Sequence, residues 1–343
     1  MHPALSVILF STLSGSGYGL LLLLGLAYAW EPLPGSSGIA ILPFAFALVL
    51  ATIGLIASLW HLGQPQRAWR AFSQWRSSWL SREGVFALAT FVPALWLSAQ
   101  AWQGEFGLST RVLGIALVLL AAATIACTAM IYASLKPVAA WHNHYVLPGY
   151  LGFAILGGAL WLGALLALDG WRPSPGALIT VAALLVLLAL FKLFYWRHID
   201  RNPFTASAES ATGLGAIGRV RSFEQPHTES NYLLREMGFV LARRHGNKLR
   251  AIALLLAFAL PVLLLPLARM APDFTAWWLG LAALSLQLGA LVERWLFFAQ
   301  ARHTVVLYYR AGLADPTKPS RSNPASSSVT TPTRHRDWTR PTP

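Results

Sequence analysis

One stretch of the chain gathers nearly every side-chain type needed for proton chemistry. It runs His61-Leu-Gly-Gln-Pro-Gln-Arg67-Ala-Trp69-Arg70-Ala-Phe72-Ser-Gln-Trp75-Arg76-Ser-Ser-Trp79-Leu-Ser-Arg82-Glu83. Trp60 precedes it, and long apolar segments flank it on both sides. An imidazole titrates near neutral pH, and a carboxylate beside it can take the proton onward. His61 closes one apolar segment and Glu83 opens the next, so both approach one pocket at the same depth. The substrate suited to such a place is lipid-soluble and carries hydroxyl or carbonyl groups that gain or lose protons. A quinone fits. Glu83 and His61 are the expected proton-handling groups, Arg76 and Trp79 complete the expected binding set, and Phe72, Trp75 and Trp79 offer ring walls.

Each residue also has a plainer reading. A histidine at a helix end is commonly interfacial, tryptophans form aromatic belts, and arginines mark topology. Pro65 simply ends a helix. Their coincidence in one short segment weakens the plainer readings taken together.

The elements that must position these residues follow from composition. Of 343 residues, 56% are hydrophobic and 11% charged, against about 25% charged in an ordinary soluble domain. The mean hydropathy is +0.54. Crossing a hydrocarbon core of about 30 Å takes about 20 apolar residues. Eight runs qualify: Ser6–Tyr28, Ile39–Leu59, Val85–Ala101, Val112–Leu135, Leu151–Leu168, Ala177–Tyr195, Ala251–Leu267 and Ala276–Phe298. Because lipid leaves no backbone group free to bond water, they predict a helical bundle. The expected fold is an all-α integral membrane protein of eight transmembrane helices with both termini on the same side. The first run lacks a basic leader and is read as a retained helix. Its Gly15 and Gly19 form a small-xxx-small pair suited to close packing.

All of the 26 Lys and Arg except Arg111, Arg172, Arg269 and Arg294 lie on one face, in the segments 60–84, 136–150 and 196–250, the end of the sixth run and the tail. The nine histidines share that face. The positive-inside rule places the termini and large loops in the cytoplasm. The only cysteine, Cys127, lies inside the fourth run, which leaves no iron–sulfur ligand set in this chain. Histidines at helix ends rather than facing each other mid-helix argue against haem. Few ionisable groups within the spans argue against a proton pump. Glu293 and Arg294, near the end of the last run, are expected to snorkel to the surface.

The 196–250 connection reads as an extended segment followed by a short amphipathic helix, Asn231–His245, stopped by Gly246. Its basic end suits either anionic lipid or a protein partner. With Arg219 and Arg221 upstream of Arg243 and Arg244, partner docking is favoured. Residues 1–310 form the expected membrane domain. The Pro/Ser/Thr/Arg-rich tail, 311–343, reads as disordered, and its arginines do not justify nucleic-acid binding.

The run HLGQPQRAWRAFSQWRSSWLSRE resembles the membrane anchors of dimethyl sulfoxide reductase, as do RSFEQPHTESNYLLREMGFVLARRH and RWLFFAQARHTVVLYY. The resemblance covers about residues 1–310. It implies a complex of three subunits in the bacterial inner membrane, with a molybdopterin catalytic subunit and an iron–sulfur subunit on one face. It also implies an anchor that binds menaquinol or ubiquinol without haem. In that family the histidine of HLG and the glutamate of SREG are implicated in quinol binding; here they are His61 and Glu83. The basic loop and the histidine-bearing face look more like the anchors of cytoplasmic sulfite dehydrogenases. Two other readings stand beside this one, a purely structural anchor and, on weaker grounds, a secondary transporter. Pro261 and Pro266 interrupt the seventh run with no counterpart earlier, which counts against the transporter.

Overall fold

The computed structural model describes residues 4–30, 37–60, 63–220, 241–305 and 307. The described chain holds eight helices long and apolar enough to cross a membrane. They are α1 (Leu5–Trp30), α2 (Ser37–Leu59), α3 (Trp79–Gln103), α4 (Leu108–Ala133), α5 (Val146–Ala167), α6 (Pro175–Arg201), α7 and α8 (Thr275–Ala299). α7 is composite: Leu241–Leu254, a π-helical turn Leu255–Ala259, then Leu260–Met270. A 3₁₀ helix, Pro65–Gln74, joins α2 to α3. No strand forms among the described residues; one isolated bridge pairs Val138 with His303. The expected all-α, eight-helix membrane protein is the fold observed.

α1 is the axis of the bundle and touches α2, α4, α5 and α8. Its small residues make this central place available. A side chain at Gly19 would run into the backbone of Ala154 on α5, and Gly158 faces it from the other side. Only two facing glycines permit so close a crossing. Gly15, the other half of the expected pair, meets nothing within 4 Å. Two hydroxyls on α1 bond within the helix, Thr12 to the Ile8 carbonyl at 2.8 Å and Ser14 to that of Phe10 at 2.5 Å. These two buried hydroxyls are thereby satisfied where no water reaches. Ser16 reaches across to α8 and donates to Gln287 Oε1 at 2.7 Å.

Three expectations of local structure are corrected. α3 begins at Trp79, capped by Ser78, so Glu83 sits about one turn inside the helix and not at its mouth. Gly246 does not stop a helix: α7 runs straight through it, because Gly246 is buried against Gln300 and tertiary packing outweighs glycine's poor helix propensity. Nor do the prolines interrupt the seventh span. The helix absorbs Pro261 by widening into the π turn just before it, and Ser285 of α8 donates to the Leu256 carbonyl at 2.6 Å. Most of the expected helix Asn231–His245, together with His61, Arg221 and the tail, lies outside the described residues.

Candidate functional site

A cavity of about 760 Å³ lies where α1, α2 and α3 meet beneath the 3₁₀ helix. That volume falls within the roughly 300–1,000 Å³ typical of small-molecule sites. Leu55 and Ile56 of α2, Phe10 of α1 and Leu88 of α3 give it an apolar wall, with Tyr132 of α4 at the back. Glu83 also lines it. One buried carboxylate therefore lies in the wall of a largely apolar cavity.

The 3₁₀ helix forms the roof, and α3 fixes it in place. Ser81 donates to the Ala71 carbonyl. Arg82 donates from Nε to the Trp75 carbonyl at 3.0 Å and from its guanidinium to the Arg76 carbonyl at 2.5 Å. The Phe72 ring lies against Gly84, where an added Cβ would come within 2.9 Å of it. The glycine after Glu83 thus lets the aromatic roof pack closely against α3.

The expected site residues divide in space. Glu83 and Phe72 line the cavity, whereas Arg76, Trp75 and Trp79 are not among the lining residues. Arg76 is exposed, with its guanidinium 5.6 Å from the Trp75 ring; Arg82 covers Trp79 at 4.4 Å. Leu59, Gly63 and Gln64 line the cavity, and His61 itself lies outside the described residues. The sequence reading missed Arg67, Trp69 and Tyr132 as lining groups. Arg67 and Trp69 stood in the very segment singled out, but nothing in a one-dimensional pattern says which face of a 3₁₀ helix turns inward.

Glu83 accepts a hydrogen bond from the Thr128 hydroxyl of α4, and Thr128 also donates to the Thr124 carbonyl at 3.0 Å. Thr128 borders a second, smaller cavity of about 20 Å³ on its far side. Ser11, Ser14 and Tyr18 of α1, Tyr150 of α5 and Arg294 of α8 line this space. Tyr150 is 4% exposed, and its hydroxyl has no hydrogen-bond partner among the described residues.

Beyond that cavity stands a buried ionic group that the sequence reading placed at the surface. Glu293 and Arg294 do not snorkel: their side chains are 2% and 5% exposed. Glu293 pairs with Lys192 of α6 through one oxygen and with Arg294 through the other, the latter at 3.1 Å. The cations are also held by aromatic faces, Arg294 at 3.6 Å from the Tyr150 ring and Lys192 at 3.9 Å from that of Tyr195. In a low-dielectric interior a charge persists only when paired in this way. The signal in the sequence was one lysine in the sixth apolar run and one glutamate in the eighth. Only the packing of α6 on its neighbours reveals them as partners.

Of the arginines expected to dock a partner, Arg219 is exposed, after a short helix Ala208–Thr212. Arg243 and Arg244 stand in the first turns of α7.

One curated protein and one family profile are similar to this chain in sequence. A sulfite dehydrogenase subunit from Allochromatium vinosum is 33% identical over 332 residues, covering 91% of this chain and 99% of that protein. The family profile described as DMSO reductase anchor subunit (DmsC) matches residues 1–300, which spans all eight helices and both cavities. With an eight-helix membrane fold and a profile match over that length, this chain belongs to the DMSO reductase anchor subunit (DmsC) family.

Proposed function

We propose that this chain is the membrane-anchoring, quinone-reactive subunit of a three-subunit molybdopterin oxidoreductase. It exchanges electrons between the membrane quinone pool and an iron–sulfur partner subunit. The observation that carries the reading is the apolar chamber with one buried carboxylate, Glu83, in its wall. A quinone ring needs an apolar slot, and its oxygens need a group that exchanges protons. Menaquinone and ubiquinone both meet that description. Oxidising a quinol releases two electrons and two protons. The electrons pass to the partner's cluster, and Glu83 with His61 takes the protons; quinone reduction is the reverse.

The likeness to a sulfite dehydrogenase subunit over nearly its whole length supports sulfite as the partner's substrate. The basic face supports an inner-membrane orientation with termini and large loops in the cytoplasm, where Arg219, Arg221, Arg243 and Arg244 dock the soluble subunits. Neither haem nor an iron–sulfur cluster is assigned to this chain.

The deciding experiment uses the complex purified in mild detergent with its native partners. Substituting Glu83→Gln or His61→Ala is expected to lower quinone-linked turnover at least about tenfold, leaving dye-linked turnover and assembly intact. Normal quinone-linked turnover in both variants sinks the assignment and leaves a structural anchor. Loss of assembly in both makes the segment a docking element. Mass spectrometry of the co-purifying polypeptides tests the partner assignment directly.

A further inference from the structure

The Glu83 chamber takes Val7 and Phe10 from the first half of α1. A separate cavity of about 350 Å³ lies at the other end of that helix, against Tyr28 and Trp30. The close crossing of α1 on α4 builds it. A side chain at Gly25 of α1 would meet the Gly114 carbonyl of α4 at 2.8 Å, and one at Gly114 would meet the Ala29 amide at 2.7 Å. The end of α1 is therefore pressed against the start of α4, which seats Tyr28 beside the first turn of that helix. Trp30, Phe106 and Leu108 around the cavity are 84%, 48% and 79% exposed. Exposed aromatic side chains at the ends of apolar spans mark the headgroup level of a bilayer.

The polar lining suits an anion. α4 begins after Gly107, which has no side chain to cap the helix, so the amides of Leu108, Ser109 and Thr110 have no partner within it. The Thr110 hydroxyl is already engaged, accepting from the Gly107 amide and donating to the Glu105 carbonyl, both at 3.3 Å. Gly107, Leu108 and Arg111 line the cavity, and Glu105 does not. Arg111 is exposed and makes no ion pair among the described residues. Tyr28 is a second and independent sign. It lines the cavity at 2% exposure, and its ring packs on Phe44 at 5.4 Å and on Phe106 at 6.0 Å. Its hydroxyl has no hydrogen-bond partner among the described residues. A buried hydroxyl without a partner is costly, and a ligand in the cavity that Tyr28 lines supplies one.

We propose that this cavity binds a phosphate group, held by the first-turn amides of α4, the Arg111 guanidinium and the Tyr28 hydroxyl. All three are donors, and a phosphate offers several acceptor oxygens at once. The headgroup depth of the cavity makes a phospholipid the expected source; free phosphate carries the same chemistry. Arg111 belongs to the sparsely charged face, with Arg172 and Arg269, so the charge bias that orients the chain does not account for it. A phosphate ligand does. The inference stands apart from the quinone reading, since the two cavities share no lining residue.

The test uses the full chain, purified in detergent and stripped of lipid, as wild type, Tyr28→Phe and Arg111→Gln. Phosphatidylglycerol, a diacylglycerol with the same acyl chains and inorganic phosphate are added in turn. Melting temperature and native mass spectrometry report binding. Phosphatidylglycerol should bind the wild type about tenfold more tightly than R111Q and several-fold more tightly than Y28F. Diacylglycerol, which lacks the phosphate, should bind none of them measurably. Without ligand, Y28F should melt at or above the wild type, because it loses only a hydroxyl that had no partner. Stabilisation by phosphatidylglycerol alone, weakened in both variants, assigns the site to a lipid headgroup. Stabilisation by inorganic phosphate, lost in R111Q, supports the same site with free phosphate as its ligand. Equal affinity of all three proteins for phosphatidylglycerol with no response to phosphate, or equal binding of diacylglycerol, overturns the proposal. So does a ligand-free Y28F that melts well below the wild type, since its hydroxyl is then bonded within the protein.

Discussion

At the level of single residues, the site depends on where a charge stands and what faces it. Glu293 lies between two cations, so removing it does more harm than removing either of them. Glu293→Gln leaves Lys192 and Arg294 buried without their anion, a loss of about 3–5 kcal/mol by comparison with other broken buried pairs. The expected outcome is poor accumulation and a lower melting temperature in detergent. A variant that melts like the wild type would show that the cations are compensated elsewhere. Gly84 works by absence. Gly84→Val places carbon atoms where the Phe72 ring lies, so the roof must lift. The quinone KM is expected to rise several-fold, more than kcat falls. Unchanged kinetics would mean that Phe72 does not bound the ring site.

Among the elements, the 3₁₀ helix Pro65–Gln74 is long for its kind, since such runs seldom exceed three or four residues. It persists because α3 holds it from outside itself, through Ser81 and through the bonds from Arg82 to two consecutive carbonyls. Breaking these ties together, in a Ser81→Ala/Arg82→Ala variant, is expected to speed amide exchange across residues 65–74 with little change in the helices. Equal protection in variant and wild type would show that the roof stands by its own packing. The α1–α5 crossing is equally specific. Gly19→Leu forces the two helices apart at Ala154, and loss of monodisperse protein on gel filtration is the expected result.

Across the whole molecule, the arrangement concentrates chemistry toward one end of the bundle. Glu83 is about one turn inside α3, and Thr128 and Glu293 stand a turn or two from the ends of α4 and α8. The basic connections emerge at the same ends. Charge reversal at Arg219, Arg221, Arg243 and Arg244 is expected to release the soluble subunits into the wash when membranes are rinsed at moderate salt. Full retention would remove these arginines from the docking surface. A reporter fused after Leu307 is expected to report a cytoplasmic C-terminus.

Whatever depends on composition and short-range order is already present in the linear chain. The deficit of charge and the eight apolar runs fix a helical membrane bundle, because lipid tolerates little else. The dense segment His61–Glu83 singles out Glu83, because an acid beside an apolar run is rarely placed there without a partner. Which groups face each other is settled only by packing. Lys192 and Glu293 are far apart in the chain and look ordinary alone. Glu293 and Arg294 read as snorkelling because a helix end seen by itself is next to water. The neighbouring helices bury that end, and burial turns three separate charges into one cluster. Likewise Gly246 and Pro261 read as stops on local propensity, worth about 1 kcal/mol and about 3 kcal/mol. Packing against Gln300 and α8 outweighs the first, and a widened turn accommodates the second.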